Sequence, residues 1–426
     1  MSDGKTVGGK AARYSEGPLW TYTEKHDGSF VSPDAEYVSR LYFPVLNRYG
    51  MKCSVTPELK GDICSSFHTY HSVPKVTEDF HRSNDSRNFW VYVEDKQPWS
   101  ATGVSAAAKA KKWQDDADDT CVTGQIGSFT IERKNKTLGL KSTATTFVPH
   151  VKEFVELTLF TIENTSSFPV TFTPTMANPI YGRTPDNLRD HRVVTSMFIE
   201  GTSHPYGVSI RPKINFNEHG HSDNDTRYAV FGYGEDGEQP QHIWRTVRDF
   251  AGEGGSLDNP VAVCKNLDGP EVEPRQYDGF EAVGAMKFAE VTLAPGDSKT
   301  WIMLNGITED PADFDSWHSR YGSMAAAQRL LEDTCAYWQE IVNEVSFDSD
   351  NIQFDNWAKW INFQLICRQV YGNSYLPDFG YGRGGRGWRD LFSDLLAIFL
   401  IDPQSASDEI QNEFLGIRVD GTPLDR

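Results

Sequence analysis

The sequence predicts an α+β chain in which a large antiparallel β-sandwich is followed by helices. Three observations carry that expectation. From about Arg40 to Ile307 apolar residues recur mostly with a period of two. Polar and Pro-Gly breaks cut this region into many short runs, and few helical patterns interrupt them. From Met324 onward the apolar spacing becomes that of a helix and stays so.

Taken in order, Phe129 to Arg133 is the first clear strand-like run. Phe154 to Asn164 (FVELTLFTIEN) sets Val155, Leu157 and Leu159 on one face and Phe154, Glu156 and Thr158 on the other. The break Thr165-Ser166-Ser167 then leads into Phe168 to Pro174, and the pair reads as a hairpin. Val194 to Ile199, Tyr206 to Arg211 and Tyr228 to Tyr233 are further strands. Met286 to Leu293 and Thr300 to Ile307 flank Ala294-Pro295-Gly296-Asp297, whose Pro-Gly supplies the φ values of a tight turn.

Met324, Leu331, Cys335, Trp338, Val342 and Val345 form the stripe of an amphipathic helix about five turns long, broken by Asp348-Ser349-Asp350. A second helix is expected over Asn356 to Val370, with Trp357, Trp360, Ile361, Phe363 and Cys367. A third runs from Leu391 to Ile401 and closes at Asp402-Pro403. That last helix is apolar nearly all round and calls for burial on most sides. Either the sandwich covers it, or the natural protein continues past Arg426; the second is the expectation.

Composition narrows the function. The 426 residues are long for one core, and two or three units are expected. A net charge of -19, from 41 basic and 60 acidic residues, repels nucleic-acid backbones and anionic membranes. Nothing approaches the roughly 18 apolar residues of a membrane span. Residues 1–16 lack the apolar core of a signal peptide. The six cysteines are widely spread without a C-x-x-C pair, which reads as reduced thiols in a cytoplasm.

The densest chemistry lies in Asp378 to Leu396, DFGYGRGGRGWRDLFSDLL. Arg383, Arg386 and Arg389 sit among five glycines, followed by Trp388 and the pair Arg389-Asp390. Glycine lets backbone approach a ligand closely, and arginine brings a planar fork of donors to hydroxyl, carboxylate or phosphate oxygens. Such a loop suits a polar, ring-shaped ligand. Other clusters read more plainly. Asn178, Arg183, Asp190, His191 and Arg192 form either a loop reaching an active site or, preferably, a hydrogen-bonded corner. Cys64, His68 and His71 have metal-like spacing but no fourth ligand, so no metal site is expected. Lys109 to Lys112 reads as a solvated loop beside the acidic Asp115 to Asp119.

Three motifs carry a family resemblance: Ser86 to Gly103 (SRNFWVYVEDKQPWSATG), Ala177 to Ser196 (ANPIYGRTPDNLRDHRVVTS) and Gly380 to Leu396 (GYGRGGRGWRDLFSDLL). With the order of sandwich, linker and helices, they resemble the inverting glycoside phosphorylases of glycoside hydrolase family 94, the cellobiose and chitobiose phosphorylase type, and related β-glucan phosphorylases. The resemblance implies an N-terminal β-sandwich over 1–308, a helical linker over 309–350, and the start of an (α/α)6 barrel over 351–426. It implies that Arg389 and Asp390 bind hydroxyls in the donor sugar subsite and that Arg383 belongs to the same loop. Trp388 stacks on a pyranose or packs the barrel. Helix N-capping is the alternative role for Asp390, and an ion pair with Asp394 or Asp378 that for Arg389.

The family's general acid is an aspartate in a D-W-N-D-like motif. No such motif occurs here, so no catalytic residue is expected within the chain and the acid is expected beyond Arg426. Phosphorolysis needs one acid, a seat for phosphate and donors that hold the sugar, because phosphate already serves as nucleophile. The implied partners are an oligosaccharide and inorganic phosphate as co-substrate, with no metal or organic cofactor, and a homodimer is common in the family. A hydrolase or transglycosylase on the same architecture and a non-catalytic carbohydrate-binding protein are the competing readings.

Overall fold

A computed structural model describes residues 18–37, 41–65, 72, 84–182, 196–217, 220–269, 276–371 and 388–422. Among them an eleven-stranded antiparallel sheet runs, edge to edge, through Thr21–Tyr22, Phe30–Ser32, Asp119–Gln125, Ser128–Asn135, Leu140–Phe147, Val155–Asn164, Ser298–Thr308, Arg227–Gly234, Gly207–Pro212, Ile199–His204 and Gln276–Asp278. A six-stranded sheet orders His242–Thr246, Ala282–Lys287, Val170–Ile180, Asn88–Tyr92 and Trp99–Ser100, with Val291–Leu293 also on Val170–Ile180. Phe43–Leu46, Met51–Val55 and Ile63–Ser65 form a separate three-stranded sheet.

Eight helices are described: α1 Ala106–Lys111, α2 Val247–Ala251, α3 Val261–Cys264, α4 Asp313–Tyr321, α5 Met324–Val342, α6 Ile352–Tyr371, α7 Trp388–Ile398 and α8 Pro403–Phe414. None is long and apolar enough to cross a membrane. The expected fold class therefore holds: a large antiparallel sandwich followed by helices.

The main core lies between the two large sheets, where Phe89 stacks on Phe160 at 5.1 Å and meets Trp301 at 5.2 Å. Both sheets are also covered on their outer faces. Leu157, Leu159, Phe231 and Leu304 pack against Phe314, Trp317 and Tyr321 of α4. Trp90, Trp244 and Val283 pack against Phe250 and Val263 of α2 and α3. The alternation in Val155–Asn164 thus separates two buried faces, not a buried from a wet one; Glu156 and Thr158 are both inaccessible.

Four local expectations need correction. The break after Asn164 is no hairpin: Val155–Asn164 pairs with Leu140–Phe147 and Ser298–Thr308, whereas Val170–Ile180 belongs to the other sheet. The crossover is stitched by the Asn164 amide, which donates to the carbonyls of Phe168 (2.7 Å) and Leu293 (2.9 Å). Met286 to Leu293 is two strands, since Pro174 opposite has no N–H to continue the ladder; Phe288 N–H still donates to its carbonyl at 3.0 Å. The strand placed at Val194 to Ile199 begins only at Ile199, with Met197 and Phe198 in a turn; residues 194 and 195 lie outside the described residues. Lys109 to Lys111 is helical, capped by the Ser105 hydroxyl, and Lys111 pairs with Asp116 at 2.5 Å.

Helices α5 and α6 are seated on the sandwich by an apolar cluster of Leu46, Ile126, Trp338, Val342, Phe363 and Ile366. Polar contacts fix the seat. Asn356 accepts the Gly28 N–H at 2.7 Å and Trp360 Nε1 donates to the Gly28 carbonyl at 2.6 Å. Gly127 turns at φ +100 directly under the Trp338 ring, where a Cβ would stand 2.6 Å from Cδ1.

Candidate functional site

Of the residues assigned to the sugar subsite, Arg383 lies outside the described residues. Trp388, Arg389 and Asp390 form the first turn of α7. The helix starts three residues earlier than expected, so Asp390 is not the N-cap of a helix beginning at Leu391. Arg183, Asp190, His191, Arg192, His68, His71, Asp378 and Arg386 also lie outside the described residues. Asn178 is buried in the sandwich, donating from Nδ2 to Asn305 Oδ1 at 2.7 Å.

Among the described side chains of α7, burial is confined to Leu395 and Ile398. Leu395 and Ile398 are buried against Ala406 and Ile410 of α8 and Leu365 of α6, while Leu396 is 71% and Leu400 70% exposed. The expected all-round burial is therefore not seen among the described residues. Asp402-Pro403 ends one helix and opens the next: Asp402 Oδ1 accepts the Ser405 N–H at 3.1 Å, and Pro403 takes the first helical position. Arg48 pairs with Asp402, tying the sandwich to the junction of α7 and α8. Burial pushes the Asp402 carboxyl up, but the hydrogen bond and charge of Arg48 outweigh it and hold it below its ordinary value.

The quoted motif at Ser86 contributes a buried ion pair at the heart of the sandwich. Arg87 donates through Nε and Nη2 to the two oxygens of Glu156, both at 2.6 Å, and neither side chain is solvent-accessible. Its remaining donors reach the carbonyls of Leu59, Gly61 and Asp62, and Asn305 donates to Glu156 at 3.0 Å. Burial opposes the charge on Arg87, yet Glu156 raises its pKa overall. The pair joins the Asn88–Tyr92 strand of one sheet to the Val155–Asn164 strand of the other. Such a fully satisfied network fixes the register of two sheets and leaves nothing over for a ligand.

A groove of 640 Å³ opens elsewhere on the sandwich, beside α1. Its floor is Trp99, whose Nε1 donates to Asp118 at 2.8 Å; Asn135 donates to the same carboxylate at 2.9 Å. Burial raises the Asp118 pKa despite Arg133 nearby. Glu58 pairs with Lys60 at 2.6 Å; burial raises its pKa, but Lys60, with Arg133 and Lys112 beyond, leaves it lowered. Sequence reading did not join these residues into one site, because they come from four stretches separated along the chain, 35–41, 56–58, 96–120 and 133–138.

The described architecture, two packed antiparallel sheets carrying a helical segment, is that of a glycoside hydrolase sandwich domain. The family model for the glycosyl hydrolase 94 supersandwich domain matches residues 66–324, and the chain belongs to that family. No curated protein matches it. Among solved structures, it is similar to a candidate kojibiose phosphorylase from the human microbiome, at 9% identity and TM-score 0.43, covering 82% of this chain and 42% of that one. It is also similar to a family GH92 α-mannosidase from Bacteroides thetaiotaomicron, at 8% identity and TM-score 0.36, covering 80% of this chain and 37% of that one. The chain spans about two fifths of the length of these proteins.

Proposed function

We infer that the chain is the N-terminal part of an inverting glycoside phosphorylase that cleaves a β-linked gluco-oligosaccharide with inorganic phosphate, giving α-glucose 1-phosphate. What supports the reading is that a family 94 supersandwich is followed by helices, of which the third after it, α7, opens with Trp388, Arg389 and Asp390. In it, 1–308 is the sandwich domain, 309–350 the linker and 351–426 the start of the helical barrel. Arg389 donates to ring hydroxyls of the donor sugar and Asp390 accepts from them; charge on each partner strengthens those bonds. Arg383 adds donors and Trp388 a flat face.

Phosphate attacks the anomeric carbon from the side opposite the leaving oxygen, so configuration inverts. An aspartic acid from outside this chain protonates that oxygen, and no base is needed because the nucleophile is already an anion. The reading needs no metal or organic cofactor, and it places the protein in the cytoplasm, in keeping with six thiols.

The test uses the product of the intact reading frame, incubated with cello-oligosaccharides and phosphate. Formation of α-glucose 1-phosphate that requires phosphate is expected, and Arg389→Ala should lower kcat/KM by about a hundredfold or more. Release of reducing sugar without sugar phosphate would make the protein a hydrolase. An Arg389→Ala enzyme with unchanged kcat/KM would remove that residue from the subsite.

A further inference from the structure

We propose that the Arg48–Asp402 ion pair is a latch through which the sandwich sets the direction of α7. Arg48 is then a positioning residue for the subsite that α7 opens, a role that rests on Arg389 and Asp390 holding sugar there.

Each end of the latch is fixed by its own surroundings. Arg48 sits in the turn between Phe43–Leu46 and Met51–Val55, and the buried Asn47 before it braces that turn. Asn47 Oδ1 accepts the N–H groups of Tyr49 (3.0 Å) and Met51 (3.1 Å). Its Nδ2 donates to the carbonyls of Pro149 (3.1 Å), Val151 (3.2 Å) and Glu153 (2.8 Å). At the other end, Asp402 belongs to two helices at once. Its N–H donates to the Ile398 carbonyl at 2.8 Å, closing the turn after α7, and its Oδ1 accepts the Ser405 N–H that opens α8. Arg48 Nη2 donates to the other oxygen, Oδ2. One carboxylate thus caps α8 and answers the sandwich with separate oxygens.

Packing leaves room for the latch to matter. A cleft of 80 Å³ opens between Arg48, Glu344, Ile366, Gln369, Ile398 and Asp402, so close packing does not fill the space at the junction. Beside it, Leu365 of α6 meets the small cluster of Leu395, Ile398 and Ala406, and Gln369 Nε2 donates to Ser405 at 3.2 Å. The helical path from Asp402 back to Arg389 is about 20 Å long, so a tilt of about 5° at the junction carries Arg389 about 2 Å. Misplacing a substrate-holding group by about 1 Å can lower a rate about a hundredfold. The subsite lies at the far end of a lever whose near end Arg48 grips.

The experiment uses the product of the intact reading frame. Hydrogen exchange is followed by mass spectrometry on peptides within 388–414 and 155–164, alongside kcat and KM for a cello-oligosaccharide with phosphate. Arg48→Met and Asp402→Asn each remove the ion pair. Asparagine still caps α8, and the two side chains are 30% and 26% exposed, so neither variant strands a buried charge. Each should speed exchange within 388–414 by about fivefold or more and leave 155–164 as in the parent. Each should also raise KM and lower kcat/KM by about tenfold or more, with the double variant no worse than the poorer single one. A smaller folded fraction would lower kcat without moving KM, and Arg48→Lys should restore most of KM. Parental exchange within 388–414 in both single variants would overturn the latch. Faster exchange with parental kcat and KM would overturn its positioning role. A parent that forms no sugar phosphate would refute the phosphorylase reading, while exchange would still decide the latch.

Discussion

Replacing Arg87 and Glu156, singly and together, tests the sandwich where it is most committed. Both side chains are fully buried and joined by two 2.6 Å bonds. Glu156→Leu strands a guanidinium that keeps only three carbonyl acceptors at 3.2, 3.3 and 3.2 Å. Arg87→Met strands a carboxylate left with the Asn305 amide at 3.0 Å, and bares those three carbonyls. An uncompensated buried charge costs about 3–5 kcal/mol, a large share of the roughly 5–15 kcal/mol that holds a domain together. The double variant buries no charge, and replacing a buried pair with apolar residues is often close to neutral. Its cost should be about 2–4 kcal/mol, set by the orphaned carbonyls and Asn305. Coupling of at least about 2 kcal/mol is therefore expected. Urea unfolding followed by tryptophan fluorescence on all four proteins closes the cycle. Additive losses, within about 0.5 kcal/mol, would refute the claim that each charge is needed because of the other.

Two further outcomes follow from named contacts. Gly127→Ala forces a Cβ to 2.6 Å from Trp338 at φ +100, so it should cost about 1–3 kcal/mol and expose the α5–α6 seat to proteolysis before the sandwich; an unchanged pattern of cleavage would show that the ring moves aside. His204 is half-buried between Phe231 and Phe314, and burial lowers its pKa from 6.5 to about 4. Its folded value lies below the unfolded one, so the stability it confers is complete above pH 6.5 and is lost as pH falls toward 4. Relative to His204→Gln, the parent should lose about 3 kcal/mol over that window, and parallel stability curves would contradict it.

Much of the architecture was legible in local pattern. Period two in Val155–Asn164 and Ser298–Thr308 survives as strands because pleated backbone sends alternate side chains to opposite faces. The Met324 stripe survives as α5 because its Trp338 and Val342 lie on one face and bury together. Pattern misled where a neighbour decided. Thr165-Ser166-Ser167 is a good turn, but whether the next strand pairs back or crosses to a second sheet depends on which layer must cover Glu156 and Phe160. Pro174 broke a strand that is not its own. The groove at Arg133 was invisible because proximity there joins residues far apart in sequence.

Sequence by itself determined that strands precede helices, and it located runs such as those within Val155–Asn164, Ser298–Thr308 and Met324–Val342, since propensity and period act over a few neighbouring residues. Tertiary structure alone decided that both faces of the central strands are dry, that Arg87 spends all its donors inside the sandwich, and that Arg133 spends none. The physical reason is that a charge's fate depends on which acceptors the folded chain brings within about 3 Å, and those come from anywhere along it.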